Sequence, residues 1–92
     1  MTRLLIVDDS PTIRRMVRAA LEVLPGVSVR EAGSGLEAIE SLVVSPADLI
    51  VLDLNMPDMH GLDVLRFVRA QAAFKTLPIV VLTTRGDEPS PS

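Results

Sequence analysis

Short apolar runs alternate with longer amphipathic segments along the chain. The apolar runs cover residues 4–7, 27–32, 48–53 and 78–83 and are rich in Val, Ile and Leu. Runs of this length, bounded by polar residues, Gly or Pro, are typical of parallel strands that are buried on both faces. The pattern therefore predicts four strands.

The segments between these runs have the periodicity of helices, over residues 11–24, 36–44 and 61–71. Ser10 followed by Pro11 is a typical helix start, and Pro25-Gly26 is a typical stop. The spacing predicts that the first two helices bury one apolar stripe each, made of Ile13, Met16, Val17, Ala20, Leu21 and Leu24, and of Leu36, Ile39, Leu42 and Val43. Arg14, Arg15 and Arg18 would then lie on or beside the solvent face.

The predicted order βαβαβαβ indicates an α/β fold, in which a parallel sheet with right-handed crossovers carries helices on both faces. Residues 86–92 contain no apolar side chain, and we expect a disordered tail there after a domain over residues 1–85. The fourth strand would then have no helix to cover it. A partner, or a second copy in a homodimer, could cover this exposed sheet edge.

Composition narrows the range of functions. The chain has 92 residues, 48% of them hydrophobic, which suits one domain with one core. A net charge of -3 without a basic cluster argues against nucleic-acid binding, and the absence of cysteine excludes disulfides and thiolate metal sites. No signal peptide or apolar stretch of membrane-spanning length is present, so we expect a cytoplasmic protein that does not bind membranes.

Polar residues follow three of the predicted strands directly. Asp8 and Asp9 follow the first, Asp53 ends the third, and Thr83 ends the fourth. Parallel strands end at one edge of their sheet, where ligands of such sheets bind, so these side chains should converge. Clustered carboxylates repel one another unless a cation neutralises them, and oxygen ligands favour Mg²⁺, Mn²⁺ or Ca²⁺ over zinc.

The segments that carry these residues resemble the receiver domains of two-component response regulators. The matching stretches are Leu4-Leu5-Ile6-Val7-Asp8-Asp9-Ser10, Asp53-Leu54-Asn55-Met56-Pro57-Asp58-Met59-His60-Gly61 and Val80-Val81-Leu82-Thr83-Thr84. The resemblance extends over residues 2–85. It implies a flavodoxin-like open sheet with strand order 2-1-3-4, a histidine kinase or phosphotransfer domain as phosphodonor, and an output protein whose identity the sequence does not give.

The resemblance also implies roles for individual residues. Asp53 would be the phosphoacceptor, and Asp8 and Asp9 would bind Mg²⁺, with Mn²⁺ as a substitute. Asp53 and the backbone carbonyl of Asn55 would complete the protein's metal ligands. Thr83 would bind a phosphoryl oxygen after transfer.

Three further positions match the family, and one expected group is missing. Thr84 adjoins the phosphoryl-binding position, and the Asn55 and Arg85 side chains stand where the family sets the lifetime of the phosphate. A receiver also has a lysine at the end of a fifth strand, but no catalytic lysine is found here, because Lys75 is the only lysine and precedes the fourth strand. We therefore expect a receiver that is truncated before its last helix, strand and helix.

Other interpretations of the same residues remain. A receiver remnant could act as an interaction or dimerisation module without phosphorylation. A metal-dependent phosphatase with an aspartyl intermediate is a weaker alternative, because Asn55 stands where its acid-base aspartate would be. Gly33-Ser34-Gly35 begins a G-x-G-x-x-A pattern typical of dinucleotide-binding folds, but that reading would leave Asp8 and Asp9 unexplained. The phosphoacceptor interpretation, in which the chain is not an enzyme, explains the most residues.

Overall fold

Four parallel strands form a sheet in the computed structural model, which describes residues 1–54, 56 and 61–82. The elements in chain order are β1 (Thr2–Val7), α1 (Pro11–Glu22), β2 (Val27–Ala32), α2 (Gly35–Val44), β3 (Leu49–Asp53), α3 (Gly61–Ala70), a short 3₁₀ turn (Ala72–Phe74) and β4 (Ile79–Leu82). The strand order is β2-β1-β3-β4, and every neighbouring pair is parallel. The predicted fold and strand order are confirmed.

Serine caps begin the first two helices, as their sequences require. The Ser10 hydroxyl accepts a hydrogen bond from the amide of Ile13 at 3.2 Å, and the Ser34 hydroxyl accepts one from the amide of Glu37 at 3.1 Å. Each bond satisfies an amide that has no partner within its own helix. The two caps therefore fix where α1 begins after β1 and where α2 begins after β2.

The element boundaries differ from the predictions by one or two residues. α1 ends at Glu22 rather than at Leu24, and Gly26 then has a φ of 73°, a conformation that favours glycine. β1 begins at Thr2 because its amide donates to the Gly26 carbonyl at 2.8 Å and Thr2 pairs with Val27. The turn after α1 therefore extends the sheet at its N-terminal end.

The two faces of the sheet carry separate clusters of buried side chains. α2 and α3 cover one face, where the buried residues are Leu5, Val7, Ala32, Ala38, Leu42, Ala47, Ile50, Leu52, Met56, Val64, Val68 and Leu77. α1 covers the other face, where Leu4, Ile6 and Val29 form a smaller buried cluster. The helices thus lie on both faces, as predicted.

The predicted apolar stripes of α1 and α2 are only partly covered. In α1 the residues Val17 and Leu21 pack against the sheet, whereas Met16 is 62% exposed. Leu24, which follows the end of α1, is 50% exposed. In α2 Leu42 is buried, but Leu36 and Val43 are exposed. The prediction that these four residues point inward is wrong, because each helix meets only one layer and the sheet covers a narrower stripe than the apolar periodicity marks. In the described part of the chain, no helix is long and apolar enough to cross a membrane.

Candidate metal and phosphoacceptor site

The register of the two central strands brings the acidic residues to one level. β1 and β3 are neighbours, and Val7 lies opposite Leu52. Asp8 and Asp53 are the next residues on these strands, so they stand side by side at the carboxyl edge of the sheet. The predicted convergence follows directly from this pairing.

The three carboxylates lie close together in a largely buried position. Asp8, Asp9 and Asp53 each offer a carboxylate oxygen, and these oxygens all lie within 4.8 Å of one another. Asp8 is 1% exposed and Asp53 is 0% exposed, while Asp9 is partly exposed. Aspartate is seldom buried so completely unless it is paired or binds a cation. Burial and proximity together mark this cluster as the candidate site.

The segment that links β1 to α1 holds Asp8 in one orientation. The amide of Asp8 donates to the carbonyl of Ala32 on β2 at 3.1 Å, and one carboxylate oxygen of Asp8 accepts from the amide of Ser10 at 2.9 Å. This short contact between an aspartate and the amide two residues later is a common way to form a turn. The turn places Asp9 between the strand end and the helix cap.

Arg14 reaches the same segment, which the sequence analysis did not anticipate. Its Nη1 donates to the carbonyl oxygen of Asp8 at 2.7 Å, and its Nε donates to a carboxylate oxygen of Glu31 at 2.9 Å. The Arg14 side chain is only 18% exposed, so it lies beside the solvent face rather than on it. Gly33 makes room for it, since a Cβ there would lie 3.2 Å from Arg14 Nη1.

Glu31 joins Arg14 to a second arginine. Nη1 of Arg18 donates to the other Glu31 oxygen at 2.6 Å. The hydrogen bond from Arg18, followed by the one from Arg14, lowers the pKa of the Glu31 carboxyl, and the bonds to Glu31 and Glu22 raise the pKa of Arg18. The two arginines therefore tie α1 to β2 through one carboxylate that stays ionised at neutral pH.

The donor set of the cluster fits a hard divalent cation. Three carboxylates supply only oxygen, which suits Mg²⁺ or Mn²⁺, and the sequence has no cysteine that could bind a soft metal. At a separation near 4.8 Å, two unit charges repel by about 3–4 kcal/mol at an effective dielectric constant of 20. A cation among the three carboxylates would offset this repulsion.

Several predicted site residues lie outside the described residues: Asn55, Thr83, Thr84 and Arg85. The expected tail over residues 86–92 lies outside them as well. Their roles therefore stay predictions. Lys75 is exposed and follows the 3₁₀ turn, before β4 begins. In a parallel sheet this is the edge opposite the carboxylates, so Lys75 is not placed to serve the site.

The glycine-rich segment after β2 has a structural explanation. Ser34 caps α2, and the Glu37 carboxylate accepts from the amide of Gly33 at 2.7 Å. An amide of the glycine-rich segment is thus bonded to a side chain in the first turn of α2. β2 is also the outermost strand on its side of the sheet, away from the reversal of strand order between β1 and β3.

Comparisons with known proteins give a consistent result. The family model for the response regulator receiver domain matches residues 4–91. The chemotaxis protein CheY1 of Helicobacter pylori strain 26695 is 42% identical over 85 residues, which are 91% of this chain and 68% of that protein. The CheY homolog of Campylobacter jejuni strain 81-176 is 39% identical over 85 residues, and the chain covers 65% of its length.

Solved structures agree with these sequence relatives. The structure of the Vibrio cholerae chemotaxis protein CheY4 matches with a TM-score of 0.85 and 39% identity, over 95% of this chain and 72% of that one. The N-terminal domain of a response regulator receiver protein from Methanoculleus marisnigri matches with a TM-score of 0.85 and 34% identity, over 97% of this chain and 72% of that one. The chain therefore spans roughly two thirds to three quarters of the proteins that it resembles.

Proposed function

The chain belongs to the family of response-regulator receiver domains, and on this premise we propose that it is a phosphoacceptor in two-component signalling. Asp53 would take a phosphoryl group from a histidine kinase or phosphotransfer domain, with Mg²⁺ as cofactor. The observation that supports this most directly is the group of three carboxylates at the carboxyl ends of β1 and β3. In this proposal the chain is the acceptor of the group and not a conventional enzyme.

The transfer itself needs one nucleophilic oxygen in a fixed place. A carboxylate oxygen of Asp53 attacks the phosphorus of a phosphohistidine, a P–O bond forms, and the P–N bond breaks with its electron pair left on the imidazole, which then takes up a proton. Asp53 suits this role because it ends a central strand and is 0% exposed, so its backbone cannot shift easily.

Asp8 and Asp9 serve the same reaction by their charge and position. An incoming phosphoryl group is anionic, and three nearby carboxylates would repel it. When bound, Mg²⁺ would neutralise that charge and stabilise the negative charge on the phosphoryl oxygens. Asp8 and Asp9 would hold the cation, while the bond from the Ser10 amide keeps Asp8 in the required orientation. Thr83 and the carbonyl of Asn55 would complete the site from the following segments.

Signal output would involve the side of the sheet that carries β4. Val80 and Val81 are 48% and 43% exposed, so the described part of the chain leaves apolar surface on this strand. A phosphoryl group on Asp53 would act beside β4, which is the direct neighbour of β3. An output protein, or a second copy of the chain in a homodimer, would bind this strand with an affinity that depends on the phosphate.

Intact-mass measurement after incubation with a small acyl phosphate tests the proposal. We expect an adduct of one phosphoryl group that requires Mg²⁺, is removed by hydroxylamine as an acyl phosphate should be, and is absent from Asp53→Asn. Asp63→Asn is the matched control, since it removes an exposed aspartate on α3 and should leave the adduct intact.

A folded protein that gives no adduct under these conditions would contradict the proposal. It would favour the alternative function, in which the chain binds a partner without being phosphorylated. An adduct that survives in Asp53→Asn would place the acceptor elsewhere.

A further inference from the structure

The peptide group between Asp8 and Asp9 receives a hydrogen bond from a side chain of α1. Arg14 Nη1 donates to the Asp8 carbonyl oxygen at 2.7 Å. The Asp8 carbonyl and the Asp9 amide belong to one planar peptide group. The hydrogen bond from Arg14 therefore fixes the orientation of this peptide group, and with it the direction of the Asp9 side chain. The preceding peptide group is held as well, because the amide of Asp8 donates to the carbonyl of Ala32. Two of the three site carboxylates therefore depend on the orientation of this peptide group.

Arg14 is itself held in place by β2. Its Nε donates to Glu31 at 2.9 Å, and the side chain is 18% exposed. A guanidinium carries its donors in a rigid planar fork, so a bond from Nε to Glu31 sets the direction in which Nη1 points. The absence of a side chain at Gly33 leaves the space that the fork occupies.

We infer that Arg14 is a positioning residue of the acidic site and that Glu31 holds it there. The inference rests on the proposed function, because it concerns how tightly the site binds a divalent cation. Arg14 would not itself bind the cation, because a guanidinium has no acceptor atom. It sets the peptide plane that aims Asp8 and Asp9 at Asp53, and groups that orient metal ligands typically change metal affinity by about 10- to 100-fold when they are removed.

The sign of the effect separates positioning from charge. Arg14 carries a positive charge next to the site, and that charge alone opposes the binding of a cation. If charge were its only influence, loss of Arg14 would strengthen Mg²⁺ binding. Positioning predicts the opposite, a weaker site.

Arg18 is a matched control on the same helix. It also donates to Glu31, at 2.6 Å, and to a backbone carbonyl of β2, that of Val29, at 3.1 Å. Its substitution removes the same charge and the same kind of tie between α1 and β2. Arg18 donates in addition to Glu22 on its own helix, at 2.9 Å. Of the two arginines, Arg14 is the one that bonds the carbonyl of Asp8.

The experiment is a calorimetric Mg²⁺ titration of the full chain and of Arg14→Met, Arg14→Lys and Arg18→Met. We expect Arg14→Met to weaken Mg²⁺ binding by about 10- to 100-fold. Arg14→Lys should lie between it and the unmodified chain, because an ammonium reaches one partner but lacks the planar fork. Arg18→Met should bind Mg²⁺ as the unmodified chain does. In the metal-free state, Arg14→Met should also shift the NMR signal of the Asp9 amide, whereas Arg18→Met should not.

The outcomes distinguish this inference from the proposed function. If the unmodified chain binds Mg²⁺ and Arg14→Met binds it equally well or more tightly, the inference is wrong and the proposed function stands. If the folded, unmodified chain binds no Mg²⁺, both are wrong. Should Arg14→Met fail to fold, Arg14→Lys is compared with Arg18→Lys, and weaker binding by the former supports the inference while equal binding overturns it.

Discussion

The two helix-covered faces of the sheet differ in how they are held together. In the described part of the chain, the cluster of buried residues under α2 and α3 has twelve members, and the cluster under α1 has three. None of the α1 residues is fully buried. Polar contacts compensate in part for the smaller cluster on the α1 side. Arg14 and Arg18 donate hydrogen bonds there to Glu31 and to backbone carbonyls.

The two faces therefore contribute differently to this domain. The face under α2 and α3 contributes more to stability, and the face under α1 contributes to the position of the acidic site. Apolar burial contributes about 25 cal/mol per Å², so most of the hydrophobic stabilisation comes from the α2 and α3 face. α1 starts at the acidic site. It is attached there by a hydrogen bond from Arg14 to the carbonyl of Asp8, and such a bond depends on direction. A helix held by a few oriented hydrogen bonds can position the site closely without being a large part of the core.

The largest expected effect compares two leucines on opposite helices. Leu42 of α2 is 3% exposed, whereas Leu21 of α1 is only partly buried. Leu42→Ala should lower the free energy of unfolding by about 3 kcal/mol and Leu21→Ala by about 1 kcal/mol, because truncating a side chain that is only partly buried leaves a smaller cavity. Urea denaturation followed by circular dichroism measures both. Equal losses would mean that the two faces are packed equally well.

The next effect concerns the site that lies where the two faces meet. Asp53→Asn should stabilise the metal-free protein by about 1–2 kcal/mol, since it removes one of three clustered charges. Mg²⁺ at a hundredfold excess over its dissociation constant should stabilise the unmodified chain by about 2.7 kcal/mol, and the variant by less. Thermal melts with and without Mg²⁺ make the comparison. If Mg²⁺ did not change the melting temperature of the unmodified chain, the result would count against the metal site.

Acid should weaken the α1 face through Glu31. Arg18 and then Arg14 lower the pKa of this carboxyl, so its stabilising effect is complete above the unfolded value of about 4.3 and is lost as the pH falls through the lower folded value. At pH 7 the variant Glu31→Gln should be about 1 kcal/mol less stable than the unmodified chain. The gap should close as the pH falls through the lowered pKa of the folded state.

The control for that titration is an exposed glutamate on the opposite face. Glu40 lies on α2, so Glu40→Gln should not reproduce the pH-dependent gap. Urea denaturation over a pH series measures both variants. A gap for Glu31→Gln that stays constant down to strong acid would show that the ion pairs do not cause it.

The smallest effect is expected for an ion pair on the surface of α3. Arg66 and Asp63 are 3.8 Å apart, with side chains that are 78% and 53% exposed. Water screens such a pair, so Arg66→Gln should change the free energy of unfolding by no more than about 0.5 kcal/mol. A larger loss of free energy of unfolding, measured by urea denaturation, would mean that polar contacts stabilise both faces of the sheet. The two faces would then not differ in this respect.

Local sequence signals predicted the elements well because each signal acts over a few residues. Ser10-Pro11 and Pro25-Gly26 bracket α1 to within two residues, and the apolar runs locate all four strands. The errors in the helix stripes, at Met16 and Leu36 for example, arose because periodicity reports one apolar side of a helix without reporting how much of it another layer covers.

The sequence by itself determined the alternation of strands and helices, the caps, and the placement of Asp8, Asp9 and Asp53 at strand ends. Strands of one parallel sheet end together, so this placement was enough to predict that the carboxylates meet. Only the tertiary structure decided the role of Arg14. Its partners are the carbonyl of Asp8 and the carboxylate of Glu31, which lies 17 positions away on another strand. The direction of a long side chain depends on neighbours that folding brings near, and no local pattern in the sequence encodes it.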